Sequence, residues 1–174
     1  MKTIFLRVAH YFAHRLSQAA VSARFATILS ATLLLAAPAQ ALTINGYTIE
    51  SGADLTAAQL YNVDLQGVDL SGAILRYANL TLSDLTDSDL SGADFLGANL
   101  YQTNLTNANL TQANLNFANL ADATLSSLDP DTTDLSDATL FAANLYGADL
   151  SGANLQNADL QSANLMAVNL QGAT

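Results

Sequence analysis

The chain has 174 residues, a formal net charge of −10, no Cys and no Trp. That length suits one domain, and the missing cysteine excludes thiol catalysis. Charge is split along the chain: four of the five basic residues (Lys2, Arg7, Arg15, Arg24) and both histidines (His10, His14) precede residue 25, while every acid lies from Glu50 onward.

The first 41 residues read as a leader. "MKTIFLRVAHYFAHRLSQAAVSAR" is basic and free of acids, "FATILSATLLLAA" (25–37) is an uninterrupted apolar run, and "PAQA" ends in small residues with Ala39 and Ala41 at A-x-A spacing. A positive n-region, a short h-region and a small-residue exit are the signature of a secretory signal peptide. The expected cleavage follows Ala41 and leaves Leu42 as the mature N-terminus. An uncleaved membrane anchor is the alternative; the apolar run falls short of the ~20 residues that a span wants, and Arg24 interrupts any longer stretch. The long, weakly amphipathic n-region also resembles some organelle transit peptides, so the expected destinations are periplasm, medium or thylakoid lumen, with no stable membrane span after cleavage. Without the leader, fifteen acids face the single Arg76, a formal charge of −14, and no Lys, His or Cys remains.

Residues 42–52, "LTINGYTIESG", carry strand-like Ile44, Tyr47 and Ile49 around an Asn45-Gly46 turn. This segment is expected to be an N-terminal cap folding over the leucines that follow.

From Leu55 to Leu170 every residue whose number is divisible by five is Leu, except Phe95 and Pro130, with no insertion or deletion in the run. Two places earlier stands Ala, or sometimes Val, Ser or Thr; the residue between is nearly always Asp or Asn. Five residues turn an α-helix by about 500°, so successive leucines would form no stripe. A continuous strand would put successive leucines on opposite faces. The pattern survives only if the chain turns a corner in each repeat, at the two positions rich in Ser, Thr, Gln, Gly and Asn. Turns of one hand then wind a solenoid with Leu and Ala inside.

The tandem A-(N/D)-L-x-x unit of residues 53–173 resembles the pentapeptide-repeat family. The resemblance implies an all-β fold, a right-handed quadrilateral parallel β-helix with four pentapeptides per coil, here over 53–174. The 24 central positions then make about six coils, and at roughly 4.8 Å per coil a rod about 29 Å tall. Core stacks would include Leu55, Leu75, Phe95, Leu115, Leu135 and Leu155.

Departures from the pattern are where a site would hide. In "SSLDPDTTDL" (126–135), Pro130 takes a core leucine position and Leu128 a core alanine position; proline removes one ladder donor. Asp129, Asp131 and Asp134 there form a weak Ca²⁺ candidate, with no EF-hand spacing and an acidic turn as the plainer reading. With twenty residues per coil, Tyr61, Tyr101 and Phe141 fall in one outward column in alternate coils, and Tyr77 and Phe117 share a neighbouring corner beside Leu96. These six are the candidate protein-binding surface. Asp69, Asp89, Asp129 and Asp149 would share a column with Asn109 and Asn169, a soluble wall of net charge. The chain stops at "NLQGAT" without an amphipathic helix, so the C-terminal ends are expected to pair in a homodimer, since an open coil exposes strand edges.

For function, catalysis leans on His, Lys, Cys or paired carboxylates of shifted pKa, and residues 42–174 offer carboxylates, hydroxyls and one Arg. No enzyme, no cofactor and no nucleic-acid binding are expected, because one Arg does not neutralise a phosphate backbone. Acidic members of the family that this chain resembles mimic DNA and bind type II topoisomerases, protecting them from inhibitors; the charge fits and the leader does not. The preferred expectation is an exported, non-catalytic structural or interaction scaffold with an unidentified protein partner.

Overall fold

The computed structural model describes residues 42–126 and 133–174. Two short strands, β1 (Leu42–Ile44) and β2 (Tyr47–Ile49), pair antiparallel with Ile44 opposite Tyr47. Asn45 and Gly46 both take positive φ (53° and 84°), as a two-residue turn matched to strand twist requires. Ile49 is buried, Ile44 and Tyr47 pack on the core, and Asn45 Nδ2 donates to the Gln59 carbonyl at 2.9 Å. Beneath this hairpin Leu55, Leu60, Leu65 and Leu70 are at most 1% exposed.

The rest of the described chain is a four-sided parallel solenoid. The central Asp/Asn positions bridge one another in four columns: from Asp54 through Ile74, Asp94, Asn114 and Thr139 to Asp159; from Gln59 to Asn164; from Asp64 to Asn169; and from Asp69 to Asn154. Inside lie the leucines, with Phe95 in the same stack as Leu75 and Leu115, all fully buried, as is Leu135.

A complete accounting of backbone N–H groups explains the five-residue consensus. In the first repeat the Leu55 N–H donates to Ile74 O and the Ala57 N–H to Arg76 O, both in the next coil. The Ala58 N–H closes a turn onto Leu55 O, and the Asn79 N–H reaches back to Ala58 O. The Thr56 N–H has no backbone carbonyl, and Asp54 Oδ1 takes it at 3.1 Å. A short side chain with an oxygen two residues upstream, an Asx turn, is what this position needs. Thr139 tests the rule by breaking it: it stands where Asp or Asn is usual, and the Phe141 N–H goes to Asn116 Oδ1 at 2.8 Å instead. At each corner the second turn residue has positive φ, which glycine adopts freely (Gly92, 64°) and bulky Tyr77, Leu82 and Phe117 adopt at 58–62°, an uncommon conformation for such side chains.

One expectation is overturned. Up to Asn104↔Thr124 partners are twenty residues apart, but Asn109 pairs with Asp134 and Asn114 with Thr139, twenty-five apart. The register thus gains five residues between Ser126 and Thr133, in the stretch where the sequence sets Leu128 at an alanine position and Pro130 at a leucine position. The uninterrupted sequence period hid this. Phe141 therefore does not stack on Tyr101; the Tyr61 and Tyr101 column continues to Tyr146, and Phe141 stands over Asn116. Likewise Asp149 joins the Asp64, Asp84 and Asn104 column and leaves that of Asp69 and Asp89, which Asp134 continues.

The last coil differs from those before it. Leu155 and Leu160 are half-buried, and Leu165 and Leu170 are 40% and 45% exposed. Leu155 is therefore not enclosed as the other core positions are.

Candidate interaction surface

Each wall shows solvent three columns of side chains: the second turn residue, the Asp/Asn position and the first residue of the next turn. Three walls carry carboxylates at their centres: Asp54, Asp94 and Asp159 on one, Asp64, Asp84 and Asp149 on the second, Asp69, Asp89 and Asp134 on the third. In the third, Asp69 bridges Asp89 directly, and two carboxylates about 4.8 Å apart repel by nearly 1 kcal/mol in unscreened water. Higher up, Asn109 Nδ2 donates to Asp89 Oδ1 at 3.1 Å. Asp89→Asn should repeat that bond one level down, onto Asp69, while its Oδ1 keeps the Ser91 N–H. The expected result is about 0.5–1 kcal/mol of added stability at low salt, shrinking as salt is raised; thermal unfolding at two ionic strengths measures it.

The fourth wall has no charge at all. Its central column runs Gln59, Asn79, Asn99, Asn119, Asn144 and Asn164. Asn119 Nδ2 donates to Asn99 Oδ1, Asn144 Nδ2 to Asn119 Oδ1 and Asn164 Nδ2 to Asn144 Oδ1, each at 3.0 Å. The Oδ1 atoms of Asn99, Asn119 and Asn144 also accept the backbone N–H two residues on. These acceptors are thus engaged twice, while each NH₂ has a second donor beyond the ladder. On one edge stand Tyr61 (54% exposed), Tyr101 (half-buried), Tyr146 (48%) and Met166 (68%), with Thr81 and Ala121 between the tyrosines. On the other edge stand Tyr77 (63% exposed) and Phe117 (60%). The Tyr77 ring lies over Gly97, where an added Cβ would meet its Cε1 at 2.7 Å.

The repeating architecture agrees with what comparison with known proteins finds. A family model described as pentapeptide repeats matches residues 53–92, 64–100, 88–126 and 133–172. The chain belongs to the pentapeptide-repeat family. The match breaks between 126 and 133, where the coil register jumps. Among solved structures, the chain is similar to HetL, a pentapeptide-repeat protein involved in heterocyst differentiation regulation in the cyanobacterium Nostoc sp. strain PCC 7120. That match has 34% identity, a TM-score of 0.52, and covers 71% of this chain and 57% of HetL. It is also similar to trypsin-treated QnrB1, a plasmid-mediated fluoroquinolone resistance protein, with 26% identity, a TM-score of 0.58, and coverage of 71% of this chain and 65% of QnrB1. The chain thus spans less than two thirds of either structure. No curated protein matches it. These neighbours make the pentapeptide-repeat solenoid a right-handed β-helix.

Of the six candidate surface residues, the structure brings Tyr61 and Tyr101 to one edge of the uncharged wall and Tyr77 and Phe117 to the other. Leu96 and Phe141 lie just around the corner, in the column of Arg76, whose Nε donates to Asp94 Oδ2. Phe141 still touches the group, meeting Phe117 edge to face at 5.6 Å between centroids. The asparagine column and Tyr146 were hidden by the register: counted in twenties the class of Gln59, Asn79, Asn99 and Asn119 runs on to Asp159, and only the jump that pairs Asn119 with Asn144 leaves the wall free of acids. Of the calcium candidates, Asp129 and Asp131 lie outside the described residues. Asp134 Oδ1 accepts from the Ser136 N–H and Asn154 Nδ2 within its column. Among the described residues no group of metal-ligating side chains gathers, and no helix is long and apolar enough to cross a membrane. The leader, 1–41, also lies outside the described residues.

Proposed function

We propose that this pentapeptide-repeat chain is an exported, non-catalytic interaction scaffold that meets its partner through the uncharged wall. The observation that carries the reading is the separation of charge: among the described residues, the acids from Asp54 to Asp159 stand on three walls and their corners and none on the fourth. The residues of a binding face are expected to be depleted of charge and enriched in tyrosine, and this wall is both. The basic, acid-free leader with its A-x-A exit supports export through a Sec-type signal. The half-open last coil supports a homodimer through that end as part of the same reading, with sedimentation expected to give twice the chain mass at tens of micromolar.

A second reading is favoured by two observations, the acidic columns and the likeness to QnrB1. In it the chain is a DNA mimic that binds a type II topoisomerase and protects it from inhibitors. The intact mass of the protein recovered from fractionated source cells separates the two. A mass beginning at Leu42 in periplasm, lumen or medium is the expected result. A full-length cytosolic mass, together with inhibition of gyrase supercoiling by the purified chain, would overturn export and establish the second reading.

A further inference from the structure

We infer that the uncharged wall is a binding platform for an extended, neutral β-1,4-linked glucan. The inference rests on the reading of that wall as the contact face and names its ligand.

The ligand's charge comes first. A basic partner would find three carboxylate-bearing walls on the same rod, and an acidic one would be repelled by the net charge of the chain. What selects this face over the others must itself be uncharged. Shape comes next. The wall is a stack of parallel bridged levels about 4.8 Å apart, with a tyrosine at every second level from Tyr61 to Tyr146, so the ligand it suits is extended and repeats along its own length.

The period decides between polymers. Tyr61, Tyr101 and Tyr146 occupy alternate levels of one column, which places them about 9.6 Å apart. An extended polypeptide repeats its side-chain pattern about every 6.8 Å, so it falls out of step with these rings within one interval. A β-1,4-linked glucan flips every sugar and repeats every second one, close to the two-coil spacing, so three rings meet three equivalent sugar faces. Sugars present C–H faces to aromatic rings and hydroxyls at their rims. Beside the tyrosines, Asn119 and Asn144 each spend one Nδ2 hydrogen on the ladder and keep a second to offer, while the Oδ1 atoms of Asn99 and Asn119 are engaged by the ladder and by the backbone. Donors without charge suit hydroxyl oxygens.

The test uses the mature chain, residues 42–174, with microcrystalline cellulose for retention and cellohexaose for calorimetry. The chain should be retained on cellulose, bind cellohexaose, and ignore an α-1,4-linked glucan, whose helical path does not follow a straight row of rings. Tyr101→Ala, which removes the middle ring, should weaken binding at least tenfold with an unchanged circular dichroism spectrum. Gln112→Ala, on another wall, should bind as the parent does. Equal binding by Tyr101→Ala, or equal binding to the α-linked polymer, would overturn the inference. No binding of either glucan would overturn it too; if the exported mass beginning at Leu42 has been found, the scaffold reading survives that loss, and if the mass is full-length and cytosolic, both fall.

Discussion

Leu100→Ala should cost about 3–4 kcal/mol, whereas Leu165→Ala, in the same stack three levels further on, should cost less than about 1 kcal/mol. Leu100 is fully buried between Leu80 and Leu120, while Leu165 is 40% exposed. Truncating a buried leucine loses the transfer free energy of the removed carbons and adds a term for the cavity that stays. Here the cavity has little means of closing. The Leu100 N–H is bonded to Asn119 O at 2.8 Å, the Asn99 N–H to Ala78 O at 2.8 Å and the Gln102 N–H to Ala121 O at 3.0 Å, so the backbone on both sides is pinned at the ladder spacing. That argues for the upper half of the usual range. At Leu165 water already reaches the side chain, so much of the transfer term is absent and no closed cavity forms. For a chain of this size the difference between the two variants corresponds to roughly 10 °C in unfolding temperature. Equal losses in thermal or denaturant unfolding would mean that the last coil is covered in solution.

The leucine period made the solenoid legible because no other regular structure places every fifth side chain on one side. It left the register ambiguous for a physical reason. A register jump of five residues leaves the sequence spacing of the leucines unchanged and alters only which residues meet: Leu140 in place of Leu135 follows Leu115, and Leu135 and Leu155 follow Leu110. Pro130 and Leu128 marked the place, and the loss of one ladder donor is all that the sequence itself implies there. That the chain passes over a whole repeat shows instead in the pairing of Asn109 with Asp134. The error fell where outward residues matter, exchanging Phe141 for Tyr146 beside Tyr101. The requirement for Asp or Asn before each leucine was visible as a pattern, but its cause, one orphan N–H per turn, needed the ladder to be seen. The first four levels of the uncharged wall were readable in principle, since Gln59, Asn79, Asn99 and Asn119 are twenty apart and none is acidic. The levels above were not, because the count in twenties runs on to Asp159.

The Thr133 hydroxyl braces the register jump, and removing it gives the second large effect. In an uninterrupted coil the Asn107 N–H would donate to Ser126 O, as the Ala57 N–H does to Arg76 O. Here the Asn107 N–H donates to Thr133 Oγ1 at 2.9 Å, and that hydroxyl lies 3.2 Å from both Ser126 O and Leu105 O. The Thr133 hydroxyl thus stands in for a missing ladder bond, accepting on one side and donating on the other, and Thr133 is fully buried. Leu105 O also takes the Ala108 N–H at 3.0 Å. Thr133→Val keeps the branched shape and removes the splice, leaving the half-buried Asn107 N–H and the buried Ser126 carbonyl without that hydroxyl. With about 1–3 kcal/mol for each such group, the expected loss is about 2–4 kcal/mol. Thr103→Val is the matched control. Thr103 is equally buried and its hydroxyl donates to Leu80 O at 2.9 Å, but Leu80 O also accepts the Ser83 N–H at 3.0 Å. No group is orphaned there, so the cost should stay near or below about 1 kcal/mol. Urea unfolding of the two variants side by side measures the gap; equal costs would show that the jump is held by something other than Thr133. Deleting residues 128–132 from the Thr133→Val variant should recover most of the loss, because Asn107 then faces an uninterrupted coil of twenty residues and the two orphaned groups can pair with each other.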